Sequence, residues 1–124
     1  MKKIFMVLAI LLVSAVSLSA QVFDFTLINK TGYSISEVYV SPSDSDEWGD
    51  DVMGTEVLPN LKKVEITFPE DYEALLLALG VDKYDLKLVD EDGDEYEYYD
   101  LKLETINEIT LTLDEDGEGL ATWK

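Results

Sequence analysis

The sequence predicts a mainly β fold, an antiparallel β-sandwich (Ig-like or similar) of about seven strands with one short helix near residues 70–79. Three observations support this prediction. Apolar and polar side chains alternate over short runs, which is the period of a half-buried strand. Turn-forming residues interrupt those runs every ~8–12 residues, as in all-β sandwiches. One segment has the longer period of an amphipathic helix.

The first two strands are separated by the turn-forming residues that follow Asn29. Residues 22–29, VFDFTLIN, alternate regularly, and residues 33–41, YSISEVYVS, are rich in β-branched and aromatic residues. The apolar phase of the second strand slips in its middle. A β-bulge near Ser36 and Glu37 would reconcile the two halves.

A third strand within residues 58–68 leads into the predicted helix at 70–79. Thr67 and Glu70 have the spacing of a capping box, and Gly80 is placed to end the helix. We expect the helix to lie across one end or edge of the sheet. Its predicted buried stripe, with the spacing i, i+3, i+4 and i+7, consists of Tyr72, Leu75, Leu76 and Leu79.

Two hairpins are predicted in the last third of the chain. In the first, an alternating strand starts at Tyr84, Asp92-Gly93 forms the turn, and a tyrosine-rich strand returns. In the second, residues 109–113 run out, residues 114–119 turn and residues 120–123 return. These four strands bring the predicted total to seven.

The amino terminus has the order of a secretory signal peptide. Two lysines precede an uncharged apolar stretch, and small residues follow it. That stretch is short for a membrane span of about 20 residues. We therefore predict a signal peptide at 1–20, one β-sandwich domain at 21–124 and no membrane insertion after cleavage. The mature protein is expected in the periplasm or outside the cell.

The composition restricts the partners and the chemistry. From Gln21 onward the chain has seven lysines against 27 acidic residues, a net charge of −20, which repels nucleic acid and anionic lipid. The sequence has no histidine, cysteine or arginine. Imidazole bases, thiolate nucleophiles, ordinary zinc sites and bidentate arginine clamps are therefore excluded. Carboxylate-only hydrolysis remains as an alternative.

Calcium is the one cofactor that the sequence suggests, because hard cations prefer clustered oxygen ligands. Acidic residues cluster in the stretch SPSDSDEWGDD and again in the first hairpin turn. Neither cluster has the complete spacing of an EF-hand, and acids on turns are also explained by turn geometry. The candidate ligands are Asp44, Asp46, Asp50, Asp51, Asp90, Asp92 and Asp94.

Four aromatic residues form the candidate binding face: Trp48, Tyr96, Tyr98 and Tyr99. Trp48 could stack on a sugar or peptide, but a loop tryptophan more often folds back as the apolar plug of its own loop. Tyr96 and Tyr98 share one face of their strand and Tyr99 has the other. We expect one of these two faces to be exposed.

Segment 23–100 has an Asn-x-Thr-Gly start at Asn29, a Ser-Pro-Ser loop from Ser41, a following Trp48-Gly49 pair and a YDL strand at Tyr84. In this pattern it resembles an uncharacterised family of small exported bacterial all-β proteins. It implies export and an all-β fold, and it brings no activity or ligand. The turn after residues 57–59 and the predicted helix depart from the family pattern.

The sequence therefore favours an exported, acidic, non-enzymatic β-domain that binds an unknown protein, peptide or glycan on its surface. A calcium-binding or calcium-stabilised module is the first alternative. A small carboxylate-dependent hydrolase is the second.

Overall fold

In the part of the chain that the structure describes, seven strands form two sheets, as the alternating runs predict. The structure, a computed structural model, describes residues 22–124, so the predicted signal peptide lies outside the described residues. Within residues 22–124, one α-helix, α1 (Glu70–Ala78), and a 3₁₀ turn at Leu103–Thr105 accompany the strands. The strands are β1 (Phe25–Lys30), β2 (Ile35–Pro42), β3 (Lys63–Ile66), β4 (Tyr84–Asp90), β5 (Glu95–Leu101), β6 (Glu108–Leu113) and β7 (Gly119–Trp123).

The sheets have the orders β3-β1-β6-β7 and β2-β4-β5. Every neighbouring pair is antiparallel except β1 and β6, which are parallel, so the prediction of a purely antiparallel sandwich is wrong for this pair. No hairpin joins β1 to β6, so turn geometry does not fix their direction. The strand order also differs from the ABED and CFG sheets of immunoglobulin domains, and the Ig-like detail is not confirmed.

The core consists of the inward-facing alternate residues of both sheets. Leu27, Val38, Leu88 and Ile109 come from four different strands and are fully buried. At one end of the core, the ring of Phe23 lies 5.0 Å from that of Tyr84. Within residues 22–124, no helix is long and apolar enough to cross a membrane.

The local signals for the bulge and the hairpins are confirmed. The pairing of β2 with β4 shifts register between Ile35 and Glu37, where the predicted bulge lies. Gly93 has a φ of 86°, a conformation that glycine adopts at little cost, and its N–H donates to the Asp90 carbonyl. The second predicted hairpin forms between β6 and β7.

Helix α1 forms at the predicted residues, but two of its predicted details are wrong. It begins after Pro69 with no side-chain cap, so the capping box does not form. Of the predicted stripe, Leu76 is buried and Tyr72 half-buried, whereas Leu75 and Leu79 are 53% and 68% exposed. The buried face of α1 is instead centred on Leu76 and Glu73, whose Oε1 accepts a hydrogen bond from the Phe23 N–H at 3.3 Å.

The predicted end of α1 at Gly80 is confirmed. The Gly80 N–H donates to the Leu77 carbonyl, and the Val81 N–H donates to the Leu76 carbonyl. These two bonds are those of a Schellman motif, which uses the positive φ of the glycine. Val81 then packs against the core and directs the chain into β4.

Candidate functional site

The candidate site lies on the outward face of the three-stranded sheet, β2-β4-β5. Because side chains alternate across a strand, the buried Val38 and Leu88 place Tyr39 and Lys87 on the opposite face. Tyr39, Lys87 and Glu97 are register partners across the three strands. We call this surface the outer face.

A loop returns over the outer face after β2. This Trp48 loop, residues 43–50, is tied to the sheet at both ends. At its start, the Ser43 Oγ donates to Asp85 Oδ1 of β4 at 2.7 Å. Just after its end, Asp51 Oδ1 accepts from the Val38 N–H at 2.9 Å, and the Val52 N–H donates to the Val38 carbonyl. These bonds hold the loop against its own sheet.

The loop places the Trp48 ring beside Lys87. The Lys87 Nζ lies 5.8 Å from the centroid of the Trp48 ring and 5.4 Å from that of the Tyr39 ring. Glu95 Oε1 is 3.8 Å from the same nitrogen. The Lys87 side chain is only 19% exposed, which is low for a lysine outside a core. We call Tyr39, Trp48 and Glu95 around this ammonium group the Lys87 pocket.

The acids beside the pocket act on its tyrosines. The Tyr39 hydroxyl donates to Glu37 Oε1 at 2.6 Å, and burial together with this bond raises the pKa of Tyr39 well above its usual range. On β5, the Tyr99 hydroxyl donates to Glu97, and mainly this bond raises the pKa of Tyr99 to about 12. Both phenols therefore stay neutral donors at physiological pH.

The structure divides the predicted binding face between two surfaces. Trp48 and the exposed Tyr99 are on the side of the outer face. Tyr96 and Tyr98 are half-buried and pack against the core, next to Gly119 of β7. The half-buried Trp48 covers its own sheet without entering the core, so it has features of both interpretations, plug and ligand platform.

Sequence reasoning missed Tyr39 and Lys87, the two residues that meet Trp48. A weak signal was available, because each occupies the polar phase of its strand between two buried apolar residues. An aromatic ring and a lysine at such positions in neighbouring strands can meet on the outward face. Nothing in the local sequence pattern indicates that the Trp48 loop returns over the outer face.

The predicted calcium ligands do not converge. Within residues 22–124, no group of three or more acidic side chains is arranged to hold a metal ion. Asp90 is 3% exposed and caps the first hairpin by accepting from the N–H groups of Asp92 and Asp94 and from the Tyr96 hydroxyl. Asp51 is engaged by the backbone of β2. The remaining candidates in the loop, all exposed, are Asp44, Asp46 and Asp50.

A second polar pocket, of about 170 Å³, lies where β1 begins. Asp24 Oδ1 accepts from the Phe68 N–H at 2.9 Å. Burial, with a further contribution from the charges of Glu73 and Glu65, raises the pKa of Asp24 to about 6. Two acids, Asp24 and Glu65, line this pocket, and the hydrolase alternative requires such a pair. Asp24, however, already accepts a hydrogen bond from the backbone. The lining residues are Asp24, Phe25, Thr26, Glu65, Thr67 and Asn107.

The raised pKa of Asp24 predicts that acidification stabilises the fold. Because the folded state holds the Asp24 proton more tightly than the unfolded state, this contribution to stability is complete below the ordinary pKa of 3.8 and is lost as the pH rises through the folded pKa of about 6. Because of Asp24, we expect the free energy of unfolding to be about 1 kcal/mol larger at about pH 5 than at about pH 7.5. Urea unfolding at both pH values measures this difference.

Asp24→Asn is the test of the assignment, since its amide oxygen can still accept from the Phe68 N–H. The variant should lose about 1 kcal/mol of the pH dependence. Glu56→Gln, at an exposed loop position, removes the same charge and should keep the dependence of the wild type. An unchanged pH dependence in Asp24→Asn would contradict the assignment.

Comparison with known proteins concerns the fold. No protein family model matches this chain, and no curated protein does. Among solved structures, the chain is similar to the NMR structure of a protein from Eubacterium rectale, with a TM-score of 0.52 and 15% sequence identity. The match covers 88% of this chain and 94% of that one. The likeness shows the fold alone.

Proposed function

We propose that this protein is an exported, non-enzymatic β-domain that binds a partner protein or peptide on its outer face. The observation that carries the proposal is the Lys87 pocket. Two half-exposed aromatic rings, Tyr39 and Trp48, lie together on an outward sheet surface. Aromatic residues of this kind are the common anchors of protein interfaces, since they bury a large area at a small cost in entropy.

The rigidity of the platform supports a binding role. Tyr39 and Lys87 are on adjacent paired strands, and the hydrogen bonds of Ser43 and Asp51 hold the Trp48 loop at both ends. A surface held in this way loses little conformational freedom when a partner docks. The exposed Tyr99 ring extends the aromatic surface along β5.

The remaining parts of the proposal come from the sequence. Export follows from the predicted signal peptide at 1–20. The absence of histidine, cysteine and arginine supports a non-enzymatic role. Membership of the uncharacterised exported family is also proposed, and its pattern residues have structural roles in this chain. Asn29 is fully buried and accepts from the Thr31 N–H, and Ser43 anchors the Trp48 loop.

The proposal is tested by mapping where ligands bind to the isotope-labelled mature chain by NMR. Titration with a panel of soluble peptides should shift signals of the outer face, including Tyr39, Trp48 and Tyr99. Trp48→Ala should abolish the response. Trp123→Ala is the matched control because Trp123 is a half-exposed tryptophan in the other sheet, and it should leave binding intact.

Two results would refute the proposal. Shifts that map to the exposed leucines of α1 or to the Asp24 pocket would place the site elsewhere. A response to neutral oligosaccharides and not to peptides would make the ligand a glycan. Unfolding midpoints of both tryptophan variants must be measured, so that loss of binding is separated from loss of fold.

A further inference from the structure

The Lys87 pocket already contains a cation. Its ammonium group faces two aromatic rings at 5.4 and 5.8 Å and one carboxylate oxygen at 3.8 Å. A cation over an aromatic face within about 6 Å is attracted by the ring quadrupole, and the attraction increases when water is excluded. With 81% of the Lys87 side chain covered, the pocket has the chemistry that recognises an ammonium or guanidinium group.

The charges around the pocket leave an excess of negative charge. Glu37, Glu95 and Glu97 lie on the outer face with Lys87, and Glu95 Oε1 is within ion-pair distance of its ammonium group. Glu37 and Glu97 instead accept hydrogen bonds from tyrosine hydroxyls, which are neutral. Across β2, β4 and β5 the outer face therefore carries Lys87 against the acids Glu37, Asp85, Glu95 and Glu97, and the surface is complementary to a basic partner.

The Lys87 ammonium group can move away from the two rings and still have a carboxylate of β5 nearby. Its register partner on β5 is Glu97, and Glu95 lies two residues along the same strand. The four-carbon stem of lysine is flexible, and the carboxylates of Glu95 and Glu97 are exposed, so an ion pair with either of them is worth little, about 0–1 kcal/mol. Movement of the ammonium group toward β5 would then expose the faces of Tyr39 and Trp48 to an incoming side chain.

We infer that the partner presents a lysine- or arginine-rich segment, that one of its cationic side chains enters the ring pair of Tyr39 and Trp48, and that Lys87 is the resident competitor for that place. The inference rests on the proposed function of the outer face and names the chemistry of the ligand. It makes Lys87 a residue that weakens binding, whereas most interface residues strengthen it.

The test compares Lys87→Met with the wild type. Methionine keeps an unbranched apolar side chain and removes the charge, so the rings and Glu95 lose their resident cation. The probe is a blocked Lys-Gly-Lys-Gly-Lys peptide, with Gln-Gly-Gln-Gly-Gln as the neutral comparison. The readout is the shift of the Trp48 indole N–H signal during NMR titration, and the Trp123 indole in the other sheet serves as the internal reference.

We expect Lys87→Met to bind the lysine peptide about three- to tenfold more tightly than the wild type, with no response to the glutamine peptide. Lys63→Met is the matched control, because Lys63 is an exposed lysine of β3 in the other sheet and its loss changes the net charge equally. This control should bind as the wild type does. Adding Trp48→Ala to Lys87→Met should abolish the gain.

The possible results separate the two proposals. Equal or weaker binding by Lys87→Met overturns the inference, and so does equal tightening by both lysine variants, which would indicate net charge alone. If Trp48→Ala still weakens the binding of some other peptide at the outer face, the proposed function stands while the inference fails. Lys87→Gln provides a second variant if Lys87→Met does not fold, and it should also bind more tightly.

Discussion

Asn29→Asp should destabilise the protein by about 3 kcal/mol or more, although it exchanges only one NH₂ group for an oxygen. Asn29 is fully buried at the end of β1. Its Nδ2 donates to the carbonyls of Tyr33 and Leu58 at 2.7 and 2.9 Å. Its Oδ1 accepts from the N–H and the Oγ1 of Thr31 at 3.0 and 2.8 Å. The amide thus links three segments of chain.

An aspartate at this position would point a carboxylate oxygen at two carbonyl oxygens. It would also bury a negative charge, and the substitution supplies no basic partner for it. Burial of an unpaired charge is among the most destabilising changes. Urea unfolding followed by circular dichroism measures the loss. Because the new carboxylate can be neutralised by a proton, the loss should decrease as the pH falls.

Asn60→Asp is the matched control for this experiment. The side-chain oxygen of Asn60 accepts from the Gly32 N–H at 2.8 Å, and a carboxylate oxygen can accept the same bond. The control adds the same charge in the same turn region and should change the free energy of unfolding by less than about 0.5 kcal/mol. Similar losses in both variants would mean that charge, and not the Asn29 network, determines the effect.

Gly119→Val should destabilise the protein by about 2 kcal/mol through steric overlap between the sheets. A Cβ at Gly119 would lie 2.5 Å from Tyr96 Cδ1 and 2.9 Å from the Tyr98 hydroxyl oxygen. To make room, the Tyr96 ring must move and strain its hydrogen bond to Asp90 Oδ2. This is the place where the edge strand β7 packs across the core on β5.

A double-mutant cycle tests that cause. If the Tyr96 ring is the obstacle, Tyr96→Leu should cost less in the Gly119→Val background than in the wild type, by about 1 kcal/mol. Thr122→Val, at an exposed position of the same strand, serves as the control for β-branched substitution and should be nearly neutral. Additive losses in the cycle would show that another contact is responsible.

The fold was predictable where one local signal determines one local structure. Asp92-Gly93 specifies a turn whatever packs on it, and Gly80 ends a helix by backbone conformation alone. The buried face of α1 was not predictable from its period. Leucine at four positions offers more than one apolar face, and the face that is buried carries Leu76 together with Glu73, whose carboxylate accepts from the Phe23 N–H.

The candidate site was predictable in part. The sequence predicts a binding face of Trp48, Tyr96, Tyr98 and Tyr99, and of these Trp48 and Tyr99 lie on the side of the outer face. Lys87 was not nominated, because a lysine in the polar phase of a strand has no local distinction. The role of Lys87 in the candidate site depends on Trp48, which lies 39 positions earlier in the chain. Trp48 reaches Lys87 because the hydrogen bonds of Ser43 and Asp51 hold the loop over the sheet.

The sequence by itself determined the strands, the turns, helix α1 and the acidic surface, because alternation, glycine placement and charge act over a few residues. Only the tertiary structure decided the parallel pairing of β1 with β6, the inward position of Tyr96 and Tyr98, and the meeting of Trp48 with Lys87. These features depend on contacts between residues far apart in the chain. Such contacts are selected by the packing of the whole core and leave no periodic mark in any one segment.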